Sequence, residues 1–113
     1  MSPFGRWFAA FVVTQIVEMP LYAVAARPRP DAQRALVAFG ASALTHPIVW
    51  FGMLHAPTSP YLVRVLVAEV FAVLVEAAWL RWWGVQRPLT WSLGANAASV
   101  VVGLVSRRLI GFP

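Results

Sequence analysis

Four long apolar runs divide this 113-residue chain. Each run is about 20 residues long, the length that an α-helix needs to cross the roughly 30 Å hydrocarbon core of a bilayer. Short segments rich in proline and arginine, such as RPRPDAQR and GVQRP, separate the runs. The pattern predicts an all-α integral membrane bundle of four transmembrane helices with short loops. We place the spans at about 7–25, 35–53, 61–83 and 90–107, in one domain that covers residues 1–113.

Residues typical of helix starts precede three of the predicted spans. Asp31 is a favourable N-cap residue ahead of the second span. HAPTSP is expected to form the loop that follows this span. The third helix is expected to start with Thr58 or Ser59 as its cap and Pro60 in its first position. The fourth helix is expected to start at Thr90 or Ser92.

Composition agrees with a membrane protein. The chain is 60% hydrophobic and only 12% charged, whereas soluble domains carry about 25% charged residues. It has no cysteine, which excludes disulfides, thiolate metal sites and thiol catalysis. All nine basic residues are arginines at the ends of the apolar runs, where they face lipid headgroups. This distribution argues against nucleic-acid binding despite the net charge of +5.

Aromatic residues near the ends of the runs predict two interfacial belts, because tryptophan and tyrosine favour the membrane surface. One belt comprises Trp7, Trp50 and Tyr61, and the other comprises Tyr22, Trp79, Trp82, Trp83 and Trp91.

The N-terminal run has an alternative interpretation as a signal peptide, because Ala23-Val24-Ala25 resembles a cleavage site. Gln15 and Glu18 interrupt its apolar stretch, however, and the run is long enough to span. We therefore expect a retained helix.

Arginine counts give a small orientation bias. The side with Arg27, Arg29, Arg34, Arg81 and Arg87 has one arginine more than the side with Arg6, Arg64, Arg107 and Arg108. This favours both termini outside the cytoplasm, and near-balance is also typical of dual-topology proteins.

Ionisable and polar residues form a layer near the middle of the predicted spans. An ionisable group in hydrocarbon costs several kcal/mol unless it has a partner, water or a ligand. Counted at about 1.5 Å per residue, the layer brings groups from all four helices to similar depth. We predict a ligand- or proton-binding site made of Glu18, His46, Glu69, Glu76, Asn96 and Ser99.

These polar residues lie on helix faces suited to packing. In the first three spans, small or polar residues precede Glu18, His46 and Glu76 at intervals of four. In the fourth span, Ala95, Ser99 and Gly103 form a stripe of small residues that allows close helix packing. The stripes predict a compact bundle with a polar interior.

Two prolines follow the polar residues closely. Pro20 lies two residues after Glu18, and Pro47 lies directly after His46. Each removes a backbone donor, so the carbonyls of Ile16 and Ala43 lose their usual helical partners. The freed carbonyls can bind ions or donors, or the prolines can simply kink the helices for packing.

Structural explanations exist for each polar residue. Glu18 can remain a protonated carboxyl that hydrogen-bonds a neighbour such as Asn96. The other two glutamates can form ion pairs towards the membrane surfaces, Glu76 with Arg81 and Glu69 with Arg64. The uncharged groups can form hydrogen bonds inside the bundle, and these are His46, Asn96 and Ser99.

A divalent metal is a minor alternative. One histidine and three glutamates suit zinc, iron or manganese, and the candidates are Glu18, His46 and Glu69. No two of these residues have the i, i+3 or i, i+4 spacing that brings ligands together on one helix. We therefore predict no cofactor, and no Ser-His-Asp order, phosphate loop or HExxH motif is present.

Several motifs resemble those of a group of small uncharacterised bacterial membrane proteins, whose members have an early intramembrane glutamate, a T-[HN]-P turn, paired glutamates and an N-x2-S motif. The resemblance covers most of the chain, in Glu18-x-Pro20, Thr45-His46-Pro47, Glu69-x6-Glu76, Ser92-Leu93 and Asn96-x2-Ser99 with Gly103. It implies four spans and a shared polar centre but no known activity. The chain also resembles small multidrug resistance transporters in architecture, that is, in its length, its number of spans and its early glutamate.

These observations lead to three functional hypotheses. The first is proton- or cation-linked transport or permeation through a site that includes Glu18, His46 and Glu76. The second is a non-catalytic accessory subunit of a larger membrane complex, and the third is an intramembrane enzyme acting on a lipid or peptide. We expect a multi-pass protein of the bacterial inner membrane, partnered by the lipid bilayer and by copies of itself or another membrane subunit.

Overall fold

The computed structural model describes residues 2–53 and 60–111. All regular secondary structure in this part of the chain is helical, which confirms the predicted all-α class. The helices are α1 (Pro3–Ala25), α2 (Asp31–Pro47), α3 (Tyr61–Trp82) and α4 (Pro88–Ile110), and a π-helical segment, Ile48–Met53, continues α2.

Three of these helical stretches are long and apolar enough to cross a membrane. They are Pro3–Ala25, Asp31–Met53 and Pro88–Ile110. The remaining helix, α3, has 22 residues and contains four charged ones: Arg64, Glu69, Glu76 and Arg81.

Prolines determine where two helices begin. Pro30 holds the N-cap position of α2, so Asp31 is the first helical residue and the prediction of an Asp31 cap is wrong. In that position Asp31 still interacts favourably with the helix dipole. Pro60 likewise holds the N-cap position of α3 rather than its first helical position. The predicted caps Thr58 and Ser59 lie outside the described residues, as does most of the predicted HAPTSP loop.

The fourth helix begins earlier than predicted. Pro88 is its first residue and Arg87, in a left-handed conformation with φ 53°, is its N-cap. Proline suits the first position because that residue has no helical partner for an N–H group. Thr90 and Ser92 therefore lie inside α4, and neither starts it.

Pro47 marks a change in helix type. It has no N–H to donate to the Ala43 carbonyl, so the regular α-helical bonding pattern cannot continue there. The π-helical segment follows directly, at Ile48, as expected when the backbone changes to bonds between residues five apart. Pro20, by contrast, lies inside an uninterrupted α1.

The helices form a closed ring. α1 packs on α2 and α4, and α3 packs on the same two helices. The connections at residues 26–30 and 83–87 are short, so consecutive helices run in opposite directions. The bundle measures 40 × 25 × 22 Å.

The two halves of the bundle differ in packing. Near the 26–30 and 83–87 connections, an apolar core includes Tyr22, Val37 and Leu80, all of which are fully buried. At this end the Arg29 guanidinium joins the two connections by donating to the Trp83 carbonyl, with Nη2 at 2.6 Å from the oxygen, and both residues line a second cavity. The other half contains a cavity and the polar residues described next.

Candidate functional site

Two glutamates from opposite helices meet at the centre of the bundle. Glu18 on α1 and Glu76 on α3 are each only 1% exposed. Their side chains lie within hydrogen-bonding range of each other. We call Glu18 and Glu76 the carboxyl pair. Because α1 and α3 are not adjacent in the ring, only the bundle's interior can bring them together.

Three donors converge on Glu76, each from a different helix. Tyr22 Oη donates to Glu76 Oε1 at 2.5 Å, and Thr45 Oγ1 donates to Glu76 Oε2 at 2.6 Å. Asn96 Nδ2 donates to Oε1 at 3.1 Å. These residues come from α1, α2 and α4, so every other helix of the bundle supplies a donor to α3. Such an arrangement favours an acceptor-only, ionised carboxylate at Glu76.

Asn96 is itself held in place by α4. Its amide group also donates to the Ser92 carbonyl at 2.8 Å. The Ser92 hydroxyl donates to the Val73 carbonyl on α3 at 2.7 Å, which joins α3 and α4 one turn from the site. The amide orientation is therefore fixed by groups outside the carboxyl pair.

Glu18 has fewer donors than Glu76. The Ser42 hydroxyl on α2 donates to Glu18 Oε1 at 2.6 Å. The Ser99 hydroxyl on α4 lies beside the same carboxyl group, but its Oγ has no hydrogen bond of good geometry within the described part of the chain. A hydrogen bond between the two carboxyl groups requires one proton. Glu18 is the better donor because Glu76 already accepts three hydrogen bonds.

A cavity of about 200 Å³ leads from the carboxyl pair to one end of the bundle. At its inner end lie the carboxyl pair, Thr45 and Asn96. At its outer end lie Tyr61, which is 47% exposed, and Arg107. Arg107 Nη1 donates to Tyr61 Oη at 2.9 Å, and its guanidinium lies 5.2 Å from the centre of the tyrosine ring. We call Tyr61 and Arg107 the mouth of the cavity.

Glu69 lines the same cavity between its two ends. It lies eight residues from Tyr61 and seven from Glu76 on α3, so the rise of about 1.5 Å per residue puts it roughly 10 Å from each along the helix axis. Its carboxyl group is half-buried and close enough to Glu76 for the two charges to repel each other.

His46 lines the cavity wall but packs mainly against aromatic rings. Its ring centre lies 6.3 Å from that of Trp7, 5.5 Å from Phe11 and 6.1 Å from Trp50. Its Nδ1 atom is buried and has no hydrogen-bond partner in residues 2–53 and 60–111. The residue that contacts Glu76 from this part of α2 is its neighbour Thr45.

The structure places all six residues of the predicted site around one cavity, namely Glu18, His46, Glu69, Glu76, Asn96 and Ser99. Besides the pair itself, Asn96 and Ser99 are the members of this set that lie against the two carboxyl groups. Glu69 and His46 are spread along the cavity wall.

Four residues that hydrogen-bond to the carboxyl pair or hold Asn96 in place are missing from the predicted site: Tyr22, Ser42, Thr45 and Ser92. Ser42 and Thr45 have a sequence signal, because each is a hydroxyl residue within one helical turn of His46. The prediction that Tyr22 belongs to an interfacial belt is wrong, since the residue is 0% exposed and donates to Glu76. Its position one turn after Glu18 is the only clue in the sequence.

The geometry tests two further predictions, the ion pair of Glu76 with Arg81 and the packing stripe on α4. Both oxygens of Glu76 accept hydrogen bonds from inside the bundle, whereas Arg81 is exposed. Glu76 therefore does not reach outward to Arg81. Along the stripe on α4, Ala95 is fully buried, but a Cβ atom at Gly103 would have nothing within 4 Å. Gly103 lines the cavity and makes no close helix contact.

Within the described residues, no group of three or more histidine, cysteine, aspartate or glutamate side chains is arranged to hold a metal ion. The metal candidates Glu18, His46 and Glu69 line one cavity without forming such a group.

Fold and site together define a helical bundle around a buried pair of carboxyl groups, with three helical stretches that are long and apolar enough to cross a membrane. The chain matches no protein-family model, no curated protein and no solved structure.

Proposed function

We propose that this protein binds and releases a proton, or a small cation in its place, at the carboxyl pair, and that it couples this exchange to transport or permeation across a membrane. The observation that carries the proposal is the contact between Glu18 and Glu76 at the inner end of the cavity. The three donors to Glu76, which are Tyr22, Thr45 and Asn96, support the proposal because they stabilise its carboxylate form.

Electrostatics favours a site that exchanges one positive charge. Two carboxylates in contact inside a poorly polar interior repel each other strongly, so the pair is stable with one net negative charge at most. One proton or one monovalent cation supplies the compensating charge. The cavity gives that charge a route to one end of the bundle, which a purely structural hydrogen bond would not need.

The proposal includes α3 as a fourth membrane span. Residues on its outer face repeat every four positions and are large and apolar: Leu62, Leu66, Val70 and Leu74 are 58% to 69% exposed. Such a face suits lipid contact. The charged residues near its ends, Arg64 and Arg81, are placed to extend towards headgroups, and Glu76 is satisfied inside the bundle.

Replacing either member of the carboxyl pair by glutamine tests the proposal. Glu18→Gln and Glu76→Gln keep the size of the side chain and one acceptor oxygen but remove the exchangeable charge. In liposomes with an internal pH dye and a potassium diffusion potential, we expect proton flux to fall to the level of protein-free liposomes for both variants. Radiolabelled sodium uptake in parallel separates proton from cation exchange.

Asp31→Asn is the matched control, because it makes the same change at an exposed acidic residue at the start of α2. We expect it to keep wild-type flux. If the two glutamine variants fold and conduct protons and sodium like the wild type, the carboxyl pair is structural and the proposed function is wrong.

A further inference from the structure

The cavity reaches the carboxyl pair from one end of the bundle only, as far as the described residues go. Beyond the pair, towards the connections at 26–30 and 83–87, the interior is filled by the apolar core, including Tyr22, Val37 and Leu80. Towards the other end, the cavity extends past Glu69 to the mouth. A charge that enters or leaves the pair in this conformation therefore passes Glu69.

The distances along this route are too long for direct proton transfer. The mouth and the pair are separated by about 15 residues of α3, or roughly 22 Å of helix axis. A proton moves between groups that are hydrogen-bonded directly or through water, so an acceptor part-way along the route divides it into two shorter transfers through water. The cavity volume of about 200 Å³ has room for several water molecules, but between the mouth and the pair its lining contributes one carboxyl group, that of Glu69.

We infer that Glu69 is the transfer carboxyl of the cavity: it accepts a proton from water on the mouth side and passes it to the carboxyl pair. This inference rests on the proposed function. It gives Glu69 a role that differs from that of the pair, because Glu69 would control how fast the pair equilibrates and leave its equilibrium occupancy unchanged.

The proton transfer balances without any other reactant. A hydronium ion gives its proton to the Glu69 carboxylate and becomes water. Glu69 then gives that proton, through water, to the singly charged pair or to the pair after it has lost its proton. Glu69 returns to its carboxylate form, and the reverse sequence empties the pair.

Charged or titratable groups from every helix face this route and suit a transfer role. Glu18 on α1 and Glu76 on α3 lie at its inner end, where a carboxylate pair attracts a proton. His46 on α2 lines the wall within an aromatic cluster, and Arg107 on α4 lies at the mouth. Arginine at the mouth does not itself exchange protons.

A kinetic measurement on the full chain in lipid tests the inference. After a rapid pH jump, infrared absorption of protonated carboxyl groups follows the filling of the pair. We expect Glu69→Gln to slow this filling by about a hundredfold or more, the scale of losing a positioned proton-transfer group. The infrared change of the pair is identified as the one that Glu18→Gln loses. In Glu69→Gln, this change should reach the same final size as in the wild type.

Two further variants or conditions separate a transfer role from a structural one. Glu69→Asp keeps a carboxyl group and should regain most of the rate. Formate, a carboxylic acid small enough for the cavity, should accelerate Glu69→Gln more than the wild type. A merely structural defect would respond to neither.

The outcomes are distinguishable from those of the proposed function. If Glu69→Gln fills at the wild-type rate while Glu18→Gln still loses the signal, the transfer role is wrong and the proposed function stands. If Glu18→Gln and Glu76→Gln both keep the signal, the proposed function is wrong. If Glu69→Gln does not fold, Glu69→Asn takes its place, and filling at the wild-type rate with no response to formate then overturns the inference.

Discussion

Glu76 shows how a buried carboxylate is stabilised by residues far apart in the sequence. Its hydrogen-bond donors lie 54, 31 and 20 residues away in the chain. Removing one donor leaves the carboxylate with less compensation in an environment where water is scarce, and buried polar groups without partners are costly. Tyr22 is the most informative donor to remove, because its hydroxyl can be deleted without changing the shape of the ring.

We predict that Tyr22→Phe destabilises the bundle by about 1–2 kcal/mol, the range for a hydrogen bond to a charged group inside a membrane protein. Reversible unfolding in mixed micelles measures the change. Tyr61→Phe, the same substitution at a partly exposed position, is the control and should have a smaller effect. Equal stability of Tyr22→Phe and the wild type would mean that Glu76 does not need this donor.

Helix contacts depend on which small residues lie against large ones. At Gly40 on α2, an added Cβ atom would lie 2.6 Å from Trp79 Cζ2 on α3. The same indole is fixed by its Nε1 atom, which donates to the Val37 carbonyl at 3.0 Å. The ring therefore cannot move away without losing that hydrogen bond. Gly40 allows α2 and α3 to approach closely enough for Thr45 to reach Glu76.

We predict that Gly40→Ala costs about 1–3 kcal/mol through overpacking, less a gain of up to about 1 kcal/mol in helix propensity. Gly94→Ala on α4 is the matched control, because a Cβ atom there has nothing within 4 Å. It should be neutral or slightly stabilising in the same unfolding assay. A Gly40→Ala variant as stable as Gly94→Ala would contradict the close contact with Trp79.

At the scale of the whole molecule, the number of membrane crossings decides which surface the cavity faces. Three helical stretches are long and apolar enough to cross, and the proposed function adds α3. With four crossings, residues 2 and 111 lie on the same side of the membrane, and with three they lie on opposite sides. The natural absence of cysteine makes this question experimentally accessible.

We predict that a chain carrying both Ser2→Cys and Gly111→Cys takes up either two labels or none from a membrane-impermeant thiol reagent in sealed vesicles. Intact mass then counts the labels on each chain. The prediction holds for either insertion orientation, including a mixture of both. A population dominated by chains with one label would show that α3 does not cross. Labelling after detergent permeabilisation confirms that both cysteines can react.

Sequence patterns alone were enough to predict the helical class, the approximate helix positions and the polar layer, because these follow from local hydropathy and from the cost of placing charge in an apolar stretch. They also brought Glu18, Glu76 and Asn96 into one hypothesis, since depth along a helix can be counted from residue numbers. Helix starts were less accurate at Asp31 and Thr90, where neighbouring prolines took the terminal positions.

The contacts between polar groups, by contrast, depend on how the helices pack in three dimensions. The rotation of each helix about its own axis depends on packing against its neighbours, and depth alone does not specify it. Packing turned Thr45 towards Glu76 and left His46 among aromatic rings, although the two are adjacent in sequence. It also moved Tyr22 from an expected membrane surface to the interior. The three glutamates thus separate into a buried pair and a third carboxyl group along the route to it.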